Sequence, residues 1–183
     1  MKLLRRTQFG NPILRQKAME LSLAQIVSPE IEQFIRDIQF TLEKRKYGVG
    51  LAAPQVGKGI ALCVIGIKPT PTRPDLERQD MVLINPEIIQ KNGGKTGKWE
   101  ACISFGSNDN FPYAQAMRYE KIRLRWLDEK AVEHEQDFEG FTANVIQHEV
   151  DHLNGILFVD RVEDTKTYMT SSEYKKMIKI QND

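Results

Sequence analysis

Histidine and cysteine are scarce in this chain, with three of the one and two of the other among 183 residues. Two cysteines, Cys63 and Cys102, exclude a disulfide-stapled scaffold and suit a reducing compartment, where a thiolate stays free to bind metal. Long apolar runs are missing too: none approaches the ~20 residues that a bilayer-spanning helix needs, and the N-terminus carries no apolar signal core. The sequence predicts a cytoplasmic protein without membrane contact. Neither sign of charge is in excess. The 26 basic and 25 acidic residues leave a net charge of +1, so no global field points to nucleic acid. Internal repeats and low-complexity tracts are absent. A chain of this length buries roughly 70% of its unfolded surface as one unit, so a single domain over 1–183 with its own core is expected.

What is present centres on Gln147-His148-Glu149-Val150-Asp151-His152-Leu153-Asn154-Gly155. Positions i and i+4 share one helix face, so His148 and His152 can each aim a nitrogen at one metal ion. Glu149 then stands beside any water on that metal. Two histidines do not hold a catalytic metal well, and a third ligand is required. A zinc protease would draw a Glu or His from downstream, but no histidine follows His152. Upstream, Cys102 offers a thiolate, and a Cys-His-His set suits ferrous iron as well as zinc. Cys63 lies in the apolar, strand-like run Ile60 to Ile65 and reads as a buried structural thiol. His134, flanked by Glu133 and Glu135, reads as a solvated strand residue.

The surrounding pattern is mixed α and β. Residues 14–23 are expected to form a short helix. Ser28 as N-cap, Pro29 at the first helical position and Ile31, Phe34, Ile35, Ile38 and Leu42 at helical spacing predict an amphipathic helix, with Lys44, Arg45 and Lys46 at its C-terminal dipole and Gly48 as its stop. Strands are predicted at 60–67, 81–89, 119–126 and 131–138, the last two as a hairpin. Pro86 implies an edge or bulge, and Asn92-Gly93-Gly94 a hairpin turn. The site helix is predicted over 142–154, with Thr142 as N-cap and Gly155 as stop. A short strand at 156–159 and a weakly helical tail through Tyr174, Met177 and Ile178 complete the reading.

Three segments together resemble the peptide deformylase family: 48–55 (G-V-G-L-A-A-P-Q), 100–104 (E-A-C-I-S) and 147–155 (Q-H-E-V-D-H-L-N-G). The first and third match the family pattern at every defined position, and their order and spacing fit across nearly the whole chain. The second departs from it, with Ala101 in place of Gly and Ile103 in place of Leu. The resemblance implies an α+β fold in which antiparallel sheets surround a central helix carrying the His-Glu-x-x-His sequence. It implies a metal-dependent hydrolase that removes the formyl group from the N-terminal formylmethionine of new polypeptides and releases formate.

The resemblance also implies roles for individual residues. Cys102, His148 and His152 would be the metal ligands, for Fe2+ at one per chain, with Zn2+, Ni2+ or Co2+ as substitutes. Glu149 would move the proton, and the Gln55 amide with the Ile103 backbone N–H would meet the oxyanion. Gly50 would offer its backbone to the substrate, and Val49, Phe141 and Val145 would line the methionine pocket. Arg118 would pair with Glu100. A second family arginine is replaced near Tyr113, and the loop from Phe105 to Met117 is longer than the pattern requires. Expected partners are formylmethionyl nascent chains at the ribosome exit, met by a monomer. The alternative is a deformylase-like protein with altered substrate range or weak turnover on other formylated or acylated peptides. A metalloprotease or a purely structural metal protein ranks below both.

Overall fold

Near the N-terminus the chain makes two separate turns rather than one helix over 14–23. The computed structural model describes residues 1–44, 48–70, 74–106 and 110–182. In it, Asn11 caps a 3-10 turn at Pro12–Arg15, and a Ser22–Gln25 capping box starts a one-turn helix, α1 (Leu23–Ile26). The residues between give their backbone bonds to distant partners: Ala18 N–H donates to the Leu153 carbonyl and Met19 N–H to that of Gly59. Tertiary bonding therefore replaces the local helix. Helix α2 (Pro29–Glu43) follows the predicted pattern, with the Ser28 hydroxyl accepting from Ile31 N–H. Lys44 is its C-cap; Arg45 and Lys46, expected at its dipole, lie outside the described residues.

Five strands, β1 (Gly50–Ala52), β2 (Leu62–Ile67), β3 (Gln79–Glu100), β4 (Ala114–Leu127) and β5 (Glu133–Glu139), form one antiparallel sheet in chain order. β3 is 22 residues long. Its first part pairs with β2 and the rest with β4, and register shifts bend it between Ile84 and Glu87, Ile88 and Gln90, and Asn92 and Lys95. Pro86 falls in the first bulge, as expected. The turn predicted at Asn92-Gly93-Gly94 does not form. The chain stays in the strand because Gly93, with φ of +75°, absorbs the extra residue of the third bulge. β4 begins at Ala114, so the loop predicted to run to Met117 ends sooner, and its residues 107–109 lie outside the described residues.

Alternation along β1 and β2 sorts the core. Leu51, Leu62 and Val64 face a cluster with Phe34, Ile35, Ile38 and Leu42 of α2. Ala52, Cys63 and Ile65 face the opposite cluster, with Val145, Ile146 and Val150. That second cluster is built on helix α3 (Gly140–Leu153), which packs against all five strands. Each fully buried aliphatic such as Ile146 contributes about 1.5–3 kcal/mol, so α3 is held from most sides. Its N-cap is Glu139, not Thr142, because β5 runs directly into it. Its end is as predicted: Gly155 takes φ of +70° after the C-cap Asn154.

Beyond Gly155 the expected strand at 156–159 is instead a 3-10 turn, Phe158–Arg161. The Asp160 carboxylate accepts from Leu157 N–H at 2.8 Å and closes that turn. The tail forms α4 (Ser171–Asn182), whose Tyr174 stacks on Tyr113 at 3.8 Å.

Candidate metal centre

The site joins the end of β3, one stripe of α3 and the turn after β1. Glu100 is the last residue of β3, and Cys102 opens the loop beyond it. His148 and His152 project from successive turns of α3, with rings 4.9 Å apart at 76°. Ligand atoms of Cys102, His148 and His152 all lie within 4.8 Å of one another. Cys102 Sγ stands 3.3 Å from His152 Nε2. One thiolate and two imidazoles within that span suit a tetrahedral metal with Zn–N and Zn–S bonds near 2.0–2.3 Å, leaving a fourth position open. The donor set can hold a divalent metal ion.

Around the ligands is a chain of alternating charges. His148 Nδ1 meets Glu100 Oε2 at 2.8 Å, which directs Nε2 toward the cluster. Arg118, only 2% exposed, grips Glu100 through two nitrogens at 2.7 and 3.0 Å and also pairs with Asp151. Asp151 is held in turn by Arg161 at 2.9 and 2.7 Å. Burial alone would raise the Glu100 carboxyl, but the Arg118 charge and the His148 and Arg118 hydrogen bonds outweigh it and hold it at about 2. Arg118 is raised above its ordinary value, since its two carboxylates outweigh its burial. The Glu100–Arg118 pair was expected; the extension through Asp151 to Arg161 was not. Asp151 stands inside the helix motif and could have been suspected, whereas nothing in sequence marks Arg161.

Glu149 lies 3% exposed with Oε2 buried and free of hydrogen bonds among the described residues. Burial pushes its carboxyl up to about 7. Its side chain lies against β1 so closely that a Cβ built on Gly50 would sit 2.4 Å from Glu149 Oε1. Gln55, 1% exposed, is fixed at both ends. Its Oε1 accepts from Ala52 N–H at 2.8 Å, and its Nε2 points to Cys102 Sγ and Ser104 Oγ, each at 3.4 Å. Ser104 N–H also donates to Cys102 Sγ, at 3.4 Å. Ser104 was not singled out in the sequence, although it ends the second motif.

Ile103 is half-buried beside Cys102, with its carbonyl turned toward Arg6 and Gln8. Val49 and Phe141 are partly buried and pack against the large cluster that also contains Val145. His134 stacks on Trp126 at 5.2 Å and meets Asp128 at 2.9 Å, away from the centre, as expected for a strand residue. Cys63 is fully buried, and burial followed by the Glu149 charge raises its thiol well above the usual range. It remains a structural thiol. Among the described residues, no helix is long and apolar enough to cross a membrane.

The chain as a whole is similar to known proteins. The family model described as Polypeptide deformylase matches residues 4–168. The peptide deformylase of Leptospira biflexa is 39% identical over 165 residues, covering 88% of each chain. Peptide deformylase 2 of a Nostoc species is 35% identical, over 93% of this chain and 92% of that one. Among solved structures, the Met-Ala-Ser-bound class I type b peptide deformylase of Acinetobacter baumannii superposes with a TM-score of 0.80 at 33% identity, over 88% and 99% of the two chains. The Synechococcus elongatus peptide deformylase in complex with actinonin gives 0.76 at 37% identity, over 90% and 81%.

Proposed function

The chain belongs to the polypeptide deformylase family, and on that premise we propose that it is a metal-dependent hydrolase that removes the formyl group from the N-terminal formylmethionine of new polypeptides, releasing formate. The observation that carries this reading is the convergence of Cys102, His148 and His152 beside the buried carboxyl group of Glu149, whose Oε2 has no hydrogen-bond partner among the described residues. The alternative of a weak or differently directed relative, raised by Ala101, is not favoured by the identity and coverage of the relatives.

Cys102, His148 and His152 would hold one divalent ion, and we assign Fe2+ to it, with Zn2+, Ni2+ or Co2+ as substitutes. That ion would supply a Lewis acid and lower the pKa of a bound water. Glu149 would accept a proton from the attacking water and deliver it to the leaving amine as the C–N bond breaks and formate departs. We assign the Gln55 amide and the Ile103 N–H as donors to the oxygen on which charge develops, where fixed dipoles stabilise the transition state most. Gly50 belongs to the edge strand β1, where an extended peptide can add as a further strand. Val49, Phe141 and Val145 receive the methionine side chain.

In this reading residues 1–183 are one deformylase domain, working in the cytoplasm as a monomer that meets nascent chains at the ribosome exit. The test is formate release from formyl-Met-Ala-Ser by the anaerobically purified iron form. Metal bound at one per chain with no formate released would reject the reading. Cys102→Ala should lose the metal; unchanged metal affinity would reject the ligand assignment.

A further inference from the structure

Two loops from distant parts of the chain carry the polar groups of the site. One is the 3-10 turn Ala53–Val56 with Gln55; the other, after Glu100, holds Cys102, Ile103 and Ser104. Strand pairing does not join them, and the segment 6–9 bridges the gap. Thr7 N–H donates to the Gln55 carbonyl at 2.8 Å, and the Thr7 hydroxyl donates to the Pro54 carbonyl at 2.8 Å. Phe9 N–H donates to the Ser104 carbonyl at 2.9 Å, and the Phe9 ring stacks on Phe105 at 4.5 Å and 12°. On either side of Thr7, Arg6 Nη1 and Gln8 Nε2 both donate to the Ile103 carbonyl, at 3.2 and 3.3 Å. Four consecutive residues thus grip both loops.

The last contact reaches further than its own length. The Ile103 carbonyl and the Ser104 N–H belong to one planar peptide unit. A guanidinium on the carbonyl oxygen deepens that unit's dipole, and the N–H at its other end donates to Cys102 Sγ at 3.4 Å. Arg6 therefore acts on the thiolate through one peptide group, without touching it.

We infer that residues 6–9 are a positioning strap: they set the Gln55 amide against the 102–104 loop and, through the Ile103 carbonyl, strengthen the hydrogen bond that the Cys102 thiolate accepts. The inference rests on the deformylase reading of the site. It assigns positioning roles to Arg6, Thr7 and Gln8, none of which meets the reacting atoms. Misplacement of the oxyanion donors lowers turnover more than ground-state binding, since their charge partner forms only in the transition state.

The experiment compares wild type with Thr7→Val, Thr7→Ser and the double variant Arg6→Met/Gln8→Met. Thermal melting, kcat and KM on formyl-Met-Ala-Ser, and the thiolate-to-metal absorption band of the Co2+-loaded protein are measured for each. Thr7→Val and the double variant should lose about tenfold in kcat with KM within about twofold, and Thr7→Ser should recover most of the loss. The cobalt band should move to longer wavelength in the double variant only. The strap is refuted if kcat stays within about twofold of wild type and the band does not move. It is equally refuted if Thr7→Ser is as impaired as Thr7→Val and the losses track melting, the mark of a purely structural role. Should metal-loaded wild type release no formate, the deformylase reading fails, and the cobalt band alone still decides the strap.

Discussion

Gly50→Ala tests whether the position of Glu149 depends on a missing side chain. Gly50 does not sit in the left-handed region, so alanine there brings no backbone strain. Its Cβ would, however, stand 2.4 Å from Glu149 Oε1 and 2.8 Å from both Cδ and Cγ. Restoring an ordinary contact of 3.4 Å requires the carboxylate to retreat by about 1 Å. The backbone of α3 cannot follow, because Val145, Ile146 and Val150 pin it in the core. Overpacking of this kind costs about 1–3 kcal/mol of stability, toward the low end here since Glu149 Oε2 gives up no hydrogen bond. A displacement of about 1 Å at a reacting group costs roughly 100-fold in rate, or about 2.7 kcal/mol of barrier. The assay is formate release under kcat/KM conditions, with urea unfolding on the same samples. In a Glu149→Asp background, whose carboxylate is drawn back by one methylene, the same alanine should cost less than half as much stability. A Gly50→Ala enzyme within about threefold of wild type would refute the reasoning, as would an equal stability loss in both backgrounds.

Arg118→Met should destabilise the protein by about 3 kcal/mol in urea unfolding, because it strands the buried carboxylates of Glu100 and Asp151, with only His148 and Arg161 among the described residues left to offset them. A loss under about 1 kcal/mol would mean that the charge chain contributes little. Asp160→Asn addresses pH. Burial alone would raise the Asp160 carboxyl, but the Arg15 hydrogen bond and the Leu157 N–H outweigh it and leave it lowered. Its stabilisation is therefore present above the unfolded carboxyl pKa of about 3.9 and is lost as pH falls through the lower folded value. Both partners are exposed, at 51% and 37% of their side chains, so screening limits the effect to about 0.5–1 kcal/mol. The gap between wild type and variant in urea unfolding should hold from pH 7 to 5 and shrink toward pH 3; a gap that grows on acidification contradicts the assignment.

The chemistry of this protein was legible where it is encoded locally. His148, Glu149 and His152 lie within one helical turn of each other, and helical periodicity alone places them on one face. Ser28 with Pro29, and Gly155, mark helix ends through bonds and dihedrals that involve only neighbouring residues. The strand pattern of Tyr119 to Trp126 was equally readable because alternation is a property of consecutive residues. Local signals failed where a distant partner took over. Residues 16–21 do not become helix because Ala18, Met19 and Leu21 give their N–H groups to Leu153, Gly59 and Asn85, and Asn92-Gly93-Gly94 does not turn because β4 holds both sides of it in one ladder.

By itself the sequence determined the two-histidine stripe and its glutamate, consequences of residue type and spacing, and it singled out Cys102 as the candidate third ligand. Only the tertiary structure decided the rest. The long bulged strand β3 delivers Cys102 to α3, while the pleat of β2 turns Cys63 into the core. The Arg161–Asp151–Arg118–Glu100–His148 chain and the 6–9 bridge join residues up to 97 positions apart, and no local pattern encodes a hydrogen bond whose two ends are chosen by the packing between them.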